Sequence, residues 1–193
     1  MSAKTYLALG DSMSIDKYTG VPGGGAVAQL HKRLAKRGDA NWTLDDRTFD
    51  GCTISGVPRT SPLLNVALVS MTIGGNDLVQ NMDRDLQAYL PEFERSYRDL
   101  LGGIRNRHPQ AVVIVGNIYH PQADLPPHLD AALQKVNLLI AATVQQHGFR
   151  LADIYGAFRG HEQEYLCLGI EPTLKGATVI ADLFERGLLH AAS

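Results

Sequence analysis

The chain has 193 residues, 45% of them hydrophobic, and its 18 Lys and Arg nearly balance 20 Asp and Glu. That length and apolar content suit a single domain over residues 1–193 with a full core. The even charge, without a basic block, excludes a nucleic-acid groove or an anionic-membrane patch, because the phosphate-neutralising charge is missing.

The first element is a short apolar run from Thr5 to Leu9 that ends in Gly10-Asp11-Ser12 and reads as a buried strand feeding a turn. Gly23-Gly24-Gly25 opens a helix carrying Val27, Leu30 and Leu34, and Gly38 closes it. This glycine run lacks the Lys-Ser/Thr of a P-loop and reads as a flexible rim beside Ser12. A more polar strand spans Trp42 to Phe49, and a strongly β-type run spans Val66 to Ile73 and stops at Gly74-Gly75. After Pro91 the spacing of Phe93, Tyr97, Leu100 and Ile104 predicts a long amphipathic helix. Ala111 to Val115 is the fourth strand, and Leu129, Leu133, Val136, Ile140 and Val144 mark the next helix. Phe149 to Ile154 is the fifth strand, and a last helix starts near Pro172-Thr173 with Ala177, Ile180, Ala181 and Phe184 on one face. Continuous apolar strands alternating with amphipathic helices predict an α/β fold with a parallel sheet covered on both faces. In such sheets a site forms beyond the carboxyl ends of the strands.

Four blocks fall there. Gly10-Asp11-Ser12 follows the first strand, where a sharp turn can expose a serine nucleophile; the bland alternative is a turn or helix cap. Asp50-Gly51-Cys52-Thr53 follows the second, and Gly51 could offer a backbone N–H to an oxyanion. Gly74-Gly75-Asn76-Asp77 follows the third, and its Asn amide is a strong donor to a developing oxyanion. Leu168-Gly169-Ile170-Glu171-Pro172 precedes the last helix. Asp11 and Asp77 read as turn-holding side chains, and Asp16, Lys17 and Tyr18 as a surface loop near the entrance. Cys52 and Cys167 read as structural thiols, with no zinc-like Cys/His spacing.

In this order the blocks resemble the SGNH hydrolases, also called GDSL-type esterases and acylhydrolases, from Tyr6 to about Phe184. The resemblance implies a flavodoxin-like three-layer α/β/α sandwich with a five-stranded parallel sheet. It implies Ser12 as nucleophile and Ser12, Gly51 and Asn76 as the oxyanion hole, and hydrolysis of carboxylic esters or thioesters without metal or organic cofactor. The last block departs from the family pattern Asp-x-x-His-Pro. Leu168 stands at the Asp position and Glu171 at the His position.

Three readings follow from that departure. Glu171 is itself the base, although its reference pKa of about 4.3 lies some two units below histidine's. Or a histidine from elsewhere fills the gap, oriented by Glu171; a triad is defined by geometry and not by chain order. Of the seven histidines, His31 sits in the first helix, His190 in the tail, and His108, His128 and His147 at helix ends. His161 and His120 remain, and His161 is preferred because its loop leads into the Glu171 block. In the third reading the chain is a non-catalytic module that binds a small ester, sugar or acyl ligand.

The N-terminus has no apolar stretch of signal-peptide length, and no window approaches a membrane span of about 20 apolar residues. Two cysteines without an export signal read as reduced thiols. A cytoplasmic protein without stable membrane association is therefore expected. Short loops without a lid-like helix point to a small, soluble ester, such as an acetyl or short acyl ester. The oligomeric state is not readable from the sequence.

Overall fold

A computed structural model describes residues 3–58 and 64–189, except for the side chain of Gln87. His190 lies outside the described residues. Five parallel strands form the sheet: β1 (Ala3–Gly10), β2 (Asn41–Thr48), β3 (Val66–Thr72), β4 (Val112–Gly116) and β5 (Arg150–Ala152), in the order β2-β1-β3-β4-β5. Helices α1 (Ala26–Arg37), α2 (Gly75–Gln80), α3 (Leu86–Arg107) and α4 (Pro127–Gln146) connect them. Short helices α5 (Ile154–Phe158) and α6 (Glu162–Tyr165) lead into a small antiparallel hairpin, β6 (Leu166–Cys167) with β7 (Glu171–Pro172), and then into α7 (Leu174–Leu189). The expected three-layer α/β/α sandwich is what the chain forms.

Both sheet faces are buried, so each strand is apolar on both sides. Successive residues alternate between the two layers. Leu7, Leu9, Val69 and Met71 pack toward Phe93, Tyr97, Val136 and Ile140 of α3 and α4. Tyr6, Ala8 and Leu68 pack toward Leu30, Leu34, Ile180 and Phe184 of α1 and α7. Each large side chain fully buried in this way contributes about 1.5–3 kcal/mol. Strand bounds shift by one or two residues from the sequence reading, and two differences are larger. α3 begins at Leu86, one turn before Pro91, because Leu86, Tyr89 and Phe93 already line the core and their burial offsets the hydrogen bond that proline cannot donate. The hairpin β6–β7 lacks apolar periodicity long enough to be read from sequence. Among the described residues no helix is long and apolar enough to cross a membrane.

The sheet order reverses direction between β1 and β3, which opens a crevice at their carboxyl ends. There Gly10 is paired with Thr72. Gly10 has φ +136°, and a Cβ at this position would lie 2.2 Å from the Thr72 carbonyl oxygen. Only glycine fits, because both the torsion and the approach exclude a side chain. Gly10→Ala is therefore expected to cost about 2–4 kcal/mol and to lower Tm by roughly 5–15 °C, measured by thermal unfolding. An unchanged Tm would show that the strand ends can separate without penalty.

Candidate active site

Ser12 sits in the turn that Gly10 starts. The Asp11 N–H donates to the Thr72 carbonyl at 3.1 Å, and the Met13 N–H donates to the Asp11 carboxylate at 3.1 Å. The Ser14 and Thr72 hydroxyls share a hydrogen bond of 2.8 Å. β1 and β3 are thus tied on both sides of Ser12, which is 7% exposed. The turn-holding role read for Asp11 agrees with this geometry, but its surroundings were not legible: Asp11 is buried beneath the serine. Burial pushes its carboxyl up to about 7, against the lowering effect of the Met13 and Thr72 hydrogen bonds, and Glu171 adds to the rise.

The third block forms the entrance to α2. Gly74 adopts φ +108° and turns the chain so that Asn76 and Asp77 enter the first helical turn. The Asn76 amide donates to the Cys52 carbonyl at 2.9 Å, which fixes its plane, and its second N–H is a further donor. Asp77 accepts the Ile54 N–H at 3.0 Å. Asn76 and Asp77 together hold the segment after β2 against the end of β3. Ser12 and Asn76 line one cavity.

Gly51 is not brought into that cavity. It occupies an exposed turn with φ +76° and does not line the cavity. Asp50 accepts from the Tyr18 hydroxyl at 2.6 Å and pairs with Lys17. The glycine run at 23–25 is likewise more ordered than a flexible rim. The Asp16 carboxylate accepts the N–H groups of Gly23 at 2.5 Å and Gly25 at 2.7 Å, so this acid ties down the loop.

The last block brings its carboxylate to the serine. Glu171 is 9% exposed on β7, with the Ser12 hydroxyl near its carboxyl. Burial raises the Glu171 pKa above the ordinary carboxylate value; the neighbouring Ser12 hydroxyl opposes this, Asp50 adds to the rise and Lys17 lowers it. Its Oε2 is buried without a hydrogen-bond partner among the described residues. Leu168, at the position of the family's Asp, is 80% exposed with φ +51° at the hairpin tip. It cannot orient a base from there.

The hairpin itself is held by a residue that sequence reasoning missed. Gln122 donates its N–H to the Gly169 carbonyl at 2.8 Å and its side-chain amide to the Leu166 carbonyl at 2.8 Å. It also accepts the Gly169 N–H at 2.9 Å. The Tyr119 hydroxyl donates to the Ile170 carbonyl at 2.5 Å. A loop glutamine 47 residues from its partner leaves no local signal in the sequence.

Neither candidate histidine reaches the serine. His161 caps α6, stacks on Tyr165 with ring centroids 5.0 Å apart, and faces Glu164 at 3.7 Å. The loop that joins it to Glu171 in sequence folds into α6 and the hairpin, so neighbourhood in the chain is not neighbourhood in space. His120 donates from Nδ1 to the Pro121 carbonyl at 2.9 Å and lies 3.9 Å from Asp130. It lines a second, polar cavity of about 560 Å³ with Arg159 and Glu162, which adjoins the Ser12 cavity at Pro121 and Leu125.

A serine turn after β1, an asparagine amide after β3 and a buried carboxyl before the last helix thus share one α/β/α sandwich. The model of the GDSL-like lipase/acylhydrolase family matches residues 8–179. The chain belongs to that family. In general terms, this GDSL protein is an ester hydrolase. No curated protein matches its sequence. Among solved structures, the lipase Lip_vut3 from a goat rumen metagenome superposes with a TM-score of 0.83 at 20% identity, covering 95% of this chain and 97% of that one. An acetyl xylan esterase from Geobacillus stearothermophilus gives 0.73 at 17% identity, covering 100% and 97%. An extracellular lipase from Streptomyces rimosus gives 0.73 at 21%, covering 95% and 99%. At such identities these likenesses carry the fold, and the family match carries the general activity.

The buried acid of the GDSL protein gives stability a pH dependence of definite sign. Folded Asp11 keeps its proton from about pH 4, where the unfolded chain loses it, up to about 7. The stability it contributes is whole at the acid end and is lost as pH rises through about 7. Glu171, also raised, adds a contribution of the same sign. Asp11→Asn should therefore gain in Tm relative to the native protein as pH rises from about 4 to about 8. A Tm difference independent of pH would show that Asp11 titrates normally.

Proposed function

We infer that the protein hydrolyses carboxylic esters or thioesters by acyl transfer through Ser12, with Glu171 as the general base. The observation that supports this reading is the buried Glu171 carboxyl, whose pKa the nearby Ser12 hydroxyl lowers. A base must be able to reach the proton it removes, and of the three candidate bases Glu171 is the one placed beside Ser12.

In the first half-reaction the Ser12 oxygen attacks the substrate carbonyl carbon and its proton passes to Glu171. The carbonyl oxygen takes up negative charge, facing the Ser12 backbone N–H and the Asn76 amide. Loss of one such donor typically lowers the rate about 10²–10³-fold. When the carbonyl re-forms, the bond to the leaving oxygen or sulfur breaks and Glu171 returns the proton to it. In the second half-reaction water attacks the acyl group on Ser12, Glu171 accepts the water proton, and Ser12 is released as the hydroxyl while the acid departs.

Two features suit a carboxylate to this work. Burial raises the Glu171 pKa and so makes it a stronger base than an exposed glutamate. Asp11 is neutral below about pH 7, so it adds no negative charge beneath the developing oxyanion. In place of a separate orienting acid, the Gln122 contacts hold the hairpin that carries the base.

On a short aryl ester, Ser12→Ala should abolish turnover and labelling by a fluorophosphonate probe. Glu171→Gln should lower kcat about 10²–10⁴-fold, the usual contribution of a general base. His161→Ala and His120→Ala should leave kcat within a few-fold. The base acts when deprotonated, so native kcat/KM should fall with acid, through an apparent pKa above the ordinary value of about 4.3. Loss of activity in His161→Ala with full activity in Glu171→Gln would reverse the assignment of the base.

A further inference from the structure

The cavity that opens on Ser12 has two unlike ends. Asp11, Ser12 and Asn76 make one end polar. The rest is walled by apolar side chains from α2, α3, the loop after β4 and α4, among them Met82, Leu86, Ile118, Leu129, Ala132 and Leu133. Val79 and Met82 on this wall are also exposed to solvent, so the cavity is open beside α2. An acetyl group would leave most of this wall without a partner. A sugar hydroxyl placed along it would find no hydrogen-bonding group.

We propose that this cavity is an acyl-chain pocket, and that the protein selects esters of straight acyl chains of about six to eight carbons over acetyl and long-chain esters. The proposal rests on Ser12 being the acyl acceptor. The length follows from size. The cavity volume is about 130 Å³. An apolar cavity of roughly 150 Å³ holds a benzene ring, so this one takes about six carbons beyond the carbonyl region at Ser12. The preference follows from burial, since each methylene moved from water onto an apolar wall improves binding about fourfold. Among the acetyl and short acyl esters that the sequence left open, it favours the longer acyl chains. Chain length is recognised inside the molecule, between α3 and α4, where loop length gives no sign of it.

The wall also names the residues that set the limit. Ala132 is buried in α4 and lines the cavity, so a larger side chain there shortens it. Leu129 is half-buried on the same helix, and its truncation lengthens the cavity.

Two measurements test the assignment. The first is kcat/KM of the native protein on p-nitrophenyl esters from acetate to dodecanoate. The second is calorimetric binding of the matching methyl esters to Ser12→Ala, which needs no turnover. Both should rise by about fourfold per methylene to hexanoate or octanoate and then fall. Ala132→Leu should move the optimum to shorter chains, and Leu129→Ala should move it to longer ones and guards against misfolding of the first variant. Binding that is independent of chain length, or an optimum at acetate, overturns the pocket. Chain-length-dependent binding without hydrolysis of any ester removes the hydrolase reading and leaves the pocket standing.

Discussion

The Ser12 hydroxyl and the Glu171 carboxyl stand near one another in a place from which most water is excluded. In such a place the charged carboxylate is disfavoured, and the group holds its proton more tightly than it would at the surface. The nearby serine hydroxyl works the other way, because a donor stabilises the carboxylate form. The balance of the two leaves a carboxyl that is more basic than a free glutamate and lies beside Ser12. The Gly10 turn positions the serine, Gln122 and Tyr119 hold the hairpin that carries the acid, and Asn76, locked on Cys52, stands where the proposed mechanism needs an oxyanion donor.

This arrangement departs from the Asp-x-x-His pattern in a coherent way. A histidine base needs an acid to set its tautomer and orientation, and the two are lost together here. Leu168 points into solvent at the hairpin tip while Glu171, three residues on, points inward. If Glu171 is the base, as proposed, a carboxyl has no tautomers to select and a second acid is not required. What it still needs is a fixed direction, and the backbone of its own hairpin supplies that through the bonds to Gln122.

The fold was legible in the sequence because it is written in local pattern. Runs such as Val66 to Thr72 have one solution, a strand buried on both faces, and α1, α4 and α7 show their apolar stripes plainly. Ser12 and Asn76 were legible for a related reason: each lies one turn beyond such a strand, beside a glycine that the turn requires. What was not legible depends on contacts between distant parts of the chain. Nothing in Asp50-Gly51 reveals that Gly51 sits in an exposed turn outside the cavity. His161 looked promising by sequence distance alone, and a short helix and a hairpin then carry it away from Glu171. The burial of Asp11 and the clamp at Gln122 are likewise products of packing across the sheet.

The central claim is that a Glu171 carboxyl of raised pKa lies beside Ser12 and is held down by its hydroxyl, and it can be measured directly. Titration of the Glu171 side-chain carboxyl by NMR, in the native protein and in Ser12→Ala, reads both parts at once. The account predicts a pKa above the ordinary glutamate range in the native protein and a further rise when the serine hydroxyl is removed, because the donor that holds it down is gone. An ordinary glutamate titration that the loss of the hydroxyl leaves unchanged would contradict it.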